Sequence, residues 1–218
     1  MGARPNSMGA CPYWQSPFLR EDLVSPRGVA IPDLRERLFD AAERVLARDG
    51  AAALTSRAIT AEAACAKGVL HTHFAGLDEF VAELVLDRFT RSAALAATLP
   101  ARAGGDSVAG NLVELSAAVL SLDPGVVGLA VTRPAAAVRV RAAWAEGAPG
   151  FDAIQASIEA YLDAERGLGR IGPDTDTGSV ALALVGTLHH LLMTSRPGGS
   201  APHEQAERLI RTLTRPSG

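Results

Sequence analysis

Apolar residues recur every three or four positions along almost the whole chain after residue 32, and no segment alternates between apolar and polar residues with a period of two. In the first such stretch, Leu34, Leu38, Ala42 and Val45 fall on one helical face. Alanine, leucine and arginine dominate the composition, and all three favour helices. The sequence therefore predicts an all-α protein.

Helix start and stop residues divide the region after residue 32 into short helices. The predicted helices there cover residues 33–49, 55–63, 67–73 and 77–96. We expect Asp33 and Glu36 to form a capping box at the first start, and Gly50 to end that helix. Thr55 is the expected N-cap of the second helix. Three helices with a tight turn before the third are the layout of a helix-turn-helix DNA reader.

The rest of the chain continues the helical pattern in a larger unit. Further helices are predicted over 106–122, over 125–144 with a break near Pro134, and over 151–166, 177–195 and 202–215. We expect three parts: a flexible arm over 1–32, a head over 33–80 with the helix-turn-helix layout, and a larger helical domain over 81–218. The proline-rich arm carries Arg4, Arg20 and Arg27, which either touch DNA or belong to a solvated tail.

The single lysine of the chain, Lys67, stands at the start of the predicted third helix. A helix fits the major groove of DNA, and the free N–H groups of its first turn suit a phosphate. Lys67 adds a positive charge there, and Gly68 permits close approach of the backbone. Spacing alone leaves two interpretations open: a DNA reader, or an ordinary three-helix packing motif with a surface lysine.

A gap-free pattern between residues 38 and 80 favours the first interpretation. Its residues are Leu38-Phe39-Asp40-Ala41-Ala42, Asp49-Gly50, Leu54-Thr55-Ser56-Arg57-Ala58-Ile59, Ala63, Lys67-Gly68, Leu70, His73-Phe74 and Phe80. This pattern closely resembles the DNA-binding domain of the tetracycline-repressor (TetR) family of regulators, and residues 66–74 are similar to the version of an actinobacterial branch. The resemblance implies that residues 33–80 are a DNA-binding head and that residues 81–218 are a ligand-binding and dimerisation domain.

The resemblance also implies roles for single residues. The positions that contact DNA in the family correspond here to Thr55, Ser56, Arg57, Lys67, Gly68, Val69, His71 and His73. Leu70 and Phe74 correspond to core positions. Departures from the family pattern are Ala64 for Gly, Ala66 for Ser, Val69 for Thr, His71 for Tyr and Leu77 for Lys. Since phosphate donors are lost and the charges of residues 33–77 cancel, we expect weaker or more base-dependent binding than a strongly basic relative shows.

The helix predicted over 177–195 is apolar nearly all round, which indicates burial on several sides. Together with 202–215 it is similar to the helix pair through which the family forms homodimers, although a core helix of a monomer has the same pattern. Residue type and position suggest the effector-binding candidates Trp144, Tyr161, His189 and Met193. For His189 and its neighbour His190, a buried hydrogen-bonded histidine is the alternative interpretation.

Other functional classes find little support in the sequence. We see no paired carboxylates, no nucleophile–base constellation and no metal-ligand spacing, so no catalytic residue, metal or cofactor is predicted. The segment 167–172 matches GxGxxG, but a predicted helix precedes it and Pro173 follows, so we interpret it as a helix end and a loop. Asp106-Ser107 is interpreted as a helix cap. The net charge of −3 requires that any DNA-binding face be locally basic.

We therefore predict a cytoplasmic, homodimeric transcriptional regulator that is not an enzyme. No signal peptide and no membrane span are expected. The favoured form is a repressor that leaves a pseudo-palindromic double-stranded DNA operator when a small apolar effector binds. An activator or ligand-insensitive regulator of the same fold is one alternative, and a helical enzyme or scaffold is the other.

Overall fold

The computed structural model describes residues 33–194 and 202–214, and these residues form ten α-helices and two short 3-10 helices without any β-strand. The α-helices are α1 (Leu34–Asp49), α2 (Ser56–Glu62), α3 (Val69–His73), α4 (Leu77–Ala96), α5 (Val108–Leu120), α6 (Pro124–Thr132), α7 (Pro134–Ala145), α8 (Phe151–Gly167), α9 (Thr177–Thr194) and α10 (Pro202–Leu213). The 3-10 helices are Ala51–Ala53 and Leu99–Arg102. The predicted all-α fold is confirmed, whereas the predicted arm over 1–32 lies outside the described residues.

Local capping residues explain several of the helix starts. The Thr55 hydroxyl accepts a hydrogen bond from the Ala58 amide at 3.1 Å at the start of α2. The Ser107 hydroxyl accepts one from the Gly110 amide at 2.9 Å at the start of α5. Pro134 opens α7 directly after α6, because proline has no N–H to continue the preceding helix. These starts are the ones that the residue pattern predicts.

The capping box predicted at the start of α1 is wrong. Asp33 has a φ of 59° and its side chain makes no capping hydrogen bond. The Glu36 carboxylate turns instead to α4, where it accepts a hydrogen bond from Arg88 at 2.9 Å. A tertiary ion pair has therefore replaced the local capping contact.

Three phenylalanine rings form the core of the head. Phe39 on α1 lies 5.4 Å from Phe80 on α4, measured between ring centroids, and Phe74 after α3 lies 5.0 Å from Phe80. All three are buried, and so is Leu70 on α3. Burial of each ring contributes about 2–3 kcal/mol, and each ring pair about 0.5–1.5 kcal/mol more. This cluster fixes the short α3 against the two longer helices.

Arg88 on α4 joins the head to the larger domain. Its side chain is only 9% exposed and donates to Glu36, Asp40 and Glu43 of α1 and to its neighbour Asp87 at 2.8–3.0 Å. Burial alone would lower the pKa of Arg88, but the hydrogen bonds and charges of Glu43 and Glu36 outweigh that effect and raise it. The predicted domain boundary at residue 80 falls inside this continuous helix, which also packs on α7 and α8.

In the larger domain, α8 and α9 pack against each other, and α10 packs on α5 and α9. Among the described helices, α9 is long and apolar enough to cross a membrane, a property that a core helix of a water-soluble protein can share. Its buried residues lie on one side and are Thr177, Ala181, Leu184, Val185, Leu188, Leu191 and Leu192. The other side of α9 is exposed and remains partly apolar.

Candidate DNA-binding interface

The turn between α2 and α3 sets the direction of the third helix. The Cys65 amide donates to the carbonyl of Thr60 at 2.8 Å, and the Ala64 amide donates to the carbonyl of Ala61 at 3.1 Å. Ala64 has a φ of 52°, in the left-handed region that glycine favours. The family pattern usually has glycine at this position. The alanine found here is therefore held in a strained backbone conformation.

We expect Ala64→Gly to raise the free energy of unfolding by about 0.5–1 kcal/mol, because the left-handed conformation costs alanine about 1–2 kcal/mol and the entropic cost of glycine offsets part of the gain. Urea unfolding, monitored by circular dichroism, measures this change in the free energy of unfolding. Ala160→Gly, at an exposed site inside α8, is the control and should lower stability by about 1 kcal/mol. Destabilisation by both substitutions would contradict the assigned turn conformation.

The start of α2 presents three of the predicted DNA-contact residues. Thr55 and Arg57 are exposed, and Ser56 is half-buried. Because the Thr55 oxygen accepts the capping hydrogen bond, its hydroxyl proton remains available to an external acceptor such as a phosphate. Arg57 has no ion-pair partner among the residues that the structure describes.

The remaining DNA-contact candidates lie in α3 and in the turn before it, and they differ in their exposure to solvent. Lys67 and Gly68 are exposed in the turn before α3, which begins at Val69, so the predicted helix start is two residues too early. His71 is exposed and His73 is half-buried. The side chain of Val69 is only 4% exposed, so it belongs to the core and cannot contact DNA as predicted.

Thr72 is an exposed residue on this surface that the sequence reasoning missed. Its hydroxyl donates to the carbonyl of Gly68 at 3.1 Å, which leaves oxygen lone pairs towards solvent. Gly68, His71 and Thr72 follow helical spacing and share one face. The spacing of Thr72 from Gly68 and His71 is the sequence signal that could have identified it, since the family pattern marks only the other two.

Most arginines of the head are already bound to other groups. Their partners are Glu83 for Arg35, the carbonyl of Ala63 for Arg37, and Glu62 for both Arg44 and Arg48. Arg57 and Lys67 therefore remain as the fixed cations of the helix-turn-helix without an ion-pair partner within the described part of the chain. The locally basic face is small and centred on these two side chains.

Two of the effector candidates lie at the ends of a row of aromatic rings in the larger domain. The Trp144 ring lies 5.6 Å from Phe89, Phe89 lies 4.9 Å from Phe151, and Phe151 lies 5.1 Å from the His189 ring, all between centroids. His189 is exposed in the single chain, which argues against the alternative of a histidine buried within one chain. Met193 follows one turn later on α9 and is 41% exposed.

Tyr161 lies apart from this row. It is ten residues after Phe151, which corresponds to about 15 Å along α8. Its ring is fully buried, and its hydroxyl oxygen accepts a hydrogen bond from Asn111 Nδ2 at 2.9 Å. Burial raises the pKa of the Tyr161 phenol to about 12, and the nearby Glu165 carboxylate adds to that effect. Tyr161 is thus separated from the other three candidates by the length of α8.

Two clefts are open to solvent, and none of the four candidates lines either of them. The first has a volume of about 220 Å³ and is lined by Leu95, Thr98, Leu99, Arg102, Glu114 and Leu115. The second, of about 400 Å³, lies between α1 and the end of α5 and is lined by Asp40, Glu43, Arg44, Ala47, Ser121 and Asp123. The first is the more apolar of the two.

The exposed side of α9 carries an apolar face. Leu182, Gly186, His189 and Met193 are separated by four, three and four residues, so they lie on one helical face. Leu182 is 59% exposed. An apolar face of this kind on a surface helix is typical of a contact with another protein molecule.

Comparison with known proteins agrees with this arrangement. Residues 38–84 match the family of bacterial regulatory proteins called tetR. A comparison with curated protein sequences finds no match. Among solved structures, the chain is similar to a TetR-family transcriptional regulator from Mesorhizobium loti, with 18% identity and a TM-score of 0.60 over 83% of this chain and 92% of that one.

Two further solved structures share the fold. The fatty acid degradation regulator FadR from Bacillus halodurans has 14% identity and a TM-score of 0.62 over 83% of this chain and 94% of that one. A transcriptional regulator from Rhodococcus sp. Rha1 has 23% identity and a TM-score of 0.57 over 83% of this chain and 94% of that one. The predicted resemblance of residues 38–80 is confirmed by the family match, and the three solved structures show that the all-α fold is shared.

Proposed function

We propose that the protein is a cytoplasmic, homodimeric repressor. The proposal starts from the match of residues 38–84 to the tetR family of bacterial regulatory proteins. The protein binds a pseudo-palindromic double-stranded operator and releases it when a small effector occupies the larger domain. The observation that carries the proposal is a pair of cations on the helix-turn-helix, Arg57 and Lys67, that have no ion-pair partner among the residues described in the structure. Thr55, His71 and Thr72 are exposed on the same motif.

In this proposal Lys67 and Arg57 contact phosphates, while α3 enters the major groove. The exposed face of α3 carries His71 and Thr72 towards base edges or the backbone, and Gly68 lies on the same side in the turn before the helix. Ser56 and His73 are half-buried and take part at the margin of the contact. With few fixed cations in each head, we propose binding that depends on base contacts as well as on charge.

Lys67→Ala is expected to weaken operator binding about 30-fold near 0.15 M salt, because a dimer loses two phosphate contacts and the slope of log K against log salt falls by about 2. Fluorescence anisotropy at several salt concentrations measures both quantities. Arg48→Ala is the control, because it removes the same charge from the same head but its guanidinium is already bound to Asp49 and Glu62. Equal losses of operator affinity in the two variants would mean that Lys67 adds only to the overall positive charge and makes no phosphate contact of its own.

The proposed dimer uses the exposed face of α9 together with α10. A two-fold axis beside Leu182, Gly186 and Met193 would bring two such faces together as a four-helix bundle. Gly186 permits close approach of the two helices, since nothing lies within 4 Å of the place where its side chain would stand. The two heads would then read half-sites related by the same axis.

The proposed release rests on α4, which carries two adjacent residues with different partners. Arg88 binds the carboxylates of α1, and Phe89 stands in the aromatic row between Trp144 and Phe151. An effector that shifts α4 in the larger domain therefore also moves the anchor of the head. Such coupling requires that the effector bind the released form more tightly than the DNA-bound form. Trp144, Tyr161, His189 and Met193 stay candidates for ligand contact in this proposal. Trp144 and His189 lie in the aromatic row, Tyr161 lies apart from it, and Met193 is shared with the proposed dimer face.

A further inference from the structure

Arg35, in the first turn of α1, lies against two of the three phenylalanine rings of the head. Its guanidinium carbon is 4.9 Å from the centroid of the Phe39 ring and 5.7 Å from the centroid of the Phe74 ring. A guanidinium within about 6 Å of a ring centroid is attracted by the negative face of the ring. Because Phe39 belongs to α1 and Phe74 directly follows α3, one side chain contacts rings from both elements.

Glu83 on α4 holds this guanidinium in place. Arg35 Nη1 lies 2.5 Å from Glu83 Oε2. That buried oxygen receives no hydrogen bond of regular geometry from the described residues, so the contact is a close charge pair. Burial raises the pKa of the Glu83 carboxyl, the charges of Arg35 and of Arg139 on α7 oppose that effect, and the charge of Glu79 adds to it. Glu83 therefore depends on Arg35 for much of its charge compensation, and it draws the guanidinium towards α4.

The helix α3 is short and depends on packing for its direction. It has five residues, of which Val69 and Leu70 are buried. The amide of Thr72 donates to the carbonyl of Gly68 at 3.1 Å, and the amide of Phe74 donates to the carbonyl of Leu70 at 2.9 Å. A helix of this length is not stable by itself, so the side chains that pack against it set its orientation. The ring of Phe74 is the contact at its C-terminal end.

We propose that Arg35 is a positioning residue for DNA reading. Its guanidinium holds the Phe74 ring against α1 and α4, and this contact fixes the angle at which α3 presents His71 and Thr72. Arg35 acts through α3 and does not itself touch DNA. The part of Arg35 in DNA reading rests on the proposed function, whereas the anchoring of α3 does not.

Two substitutions of Arg35 separate the ring contact from the charge. Methionine retains an unbranched side chain with a high helix propensity but removes the guanidinium. Lysine retains the charge that faces Glu83, but its compact ammonium does not spread over two rings as a planar guanidinium does. Arg44→Met is the matched control. It removes one positive charge from the same helix, and Glu62, the partner of Arg44, keeps its ion pair with Arg48.

Hydrogen–deuterium exchange of the full-length protein without DNA tests the anchoring of α3. We expect the amides of residues 72–74 to exchange about fivefold faster in Arg35→Met than in the wild type, and at the wild-type rate in Arg44→Met. Arg35→Lys should recover less than half of the difference on a logarithmic scale. If Arg35→Met does not fold, Glu83→Gln is the second variant, and it should accelerate the same amides about twofold because the guanidinium loses its charge partner on α4. Unchanged exchange in the variant tested, or full recovery by lysine, would overturn the proposal.

Fluorescence anisotropy with operator DNA and with unrelated DNA tests the role in reading. Arg35→Met should bind the operator about tenfold more weakly and unrelated DNA within about twofold of the wild type, because base contacts by α3 are lost and phosphate contacts are kept. The slope of log K against log salt should not change. A fall of that slope by about 2 for the dimer would mean that Arg35 contacts phosphate itself, and it would overturn the positioning role. So would equal losses of affinity on the two kinds of DNA.

The two measurements fail separately. A wild-type protein that binds no operator would count against the proposed function, and hydrogen exchange would still decide whether Arg35 anchors α3. A wild-type protein that binds its operator, with an Arg35→Met variant that binds equally well, would leave the proposed function intact and overturn the positioning role.

Discussion

A Leu182→Glu protein is expected to be monomeric and to bind operator DNA at least 100-fold more weakly than the wild type. Leu182 is 59% exposed on the α9 face that we propose as the dimer contact. A two-fold axis would place two glutamates against each other in an apolar interface, and such a change at an interface centre costs about 2–4 kcal/mol or more. Since each 1.4 kcal/mol is about tenfold in affinity, the dimer should separate at micromolar concentration.

Analytical ultracentrifugation and anisotropy with a duplex operator measure the two effects. Val138→Glu is the matched control, because Val138 on α7 is also 59% exposed and lies away from the α9 face. It should remain dimeric and bind DNA normally. A dimeric Leu182→Glu protein, or a Val138→Glu protein that dissociates in its place, would contradict the assignment of α9 to the interface.

Arg88→Leu is expected to lower the free energy of unfolding by about 2–4 kcal/mol, because several charge-assisted hydrogen bonds are lost and the carboxylates of Glu36, Asp40 and Glu43 are left facing one another. Urea unfolding measures the loss. Operator affinity should also fall under conditions where the protein remains folded, because α1 loses its anchor on α4.

Arg91→Leu provides the comparison for this change. Arg91 pairs with the same Glu36 and Asp87, but its side chain is 56% exposed, so its removal should cost less than about 1 kcal/mol. If Arg88→Leu is as stable as Arg91→Leu, the buried guanidinium does not hold the head. If it is unstable but binds DNA normally when folded, Arg88 supports folding alone.

The helices could be predicted from sequence because their signals are local. Apolar spacing, the hydroxyls of Thr55 and Ser107 and the ring of Pro134 act within a few residues of each helix start. The start of α3 was placed two residues early because Gly68 offers no side-chain cap to mark it. Asp33 failed as a cap because Glu36, its expected partner, is bound by Arg88 from a distant helix.

The functional surfaces could be predicted only in part. Exposure of Thr55, Arg57, Lys67 and His71 agrees with the pattern, whereas burial of Val69 depends on how α3 packs in the head. A count of charges likewise does not show that the other arginines of the head are bound to acidic residues or, for Arg37, to the carbonyl of Ala63. These arginine contacts show which cations of the head remain available for DNA.

The interior of the larger domain was beyond the reach of sequence patterns. Asn111 meets Tyr161 across 50 positions of sequence, and Gly104 meets Glu165 across 61. No local signal marks a contact between residues so far apart. Of the effector candidates chosen by residue type, Tyr161 is hydrogen-bonded to Asn111, whereas Trp144 and His189 belong to the aromatic row.

The most direct test of the account is a footprint of the purified protein on the DNA upstream of its own gene, at two salt concentrations and after removal of any bound ligand. We expect protection of a pseudo-palindrome whose half-sites lie one helical turn or a multiple of it apart, with affinity that falls as salt rises and that Lys67→Ala weakens. Protection without two-fold symmetry would contradict the proposed dimer. Binding that is equally strong on unrelated DNA would contradict the central claim that this chain reads an operator.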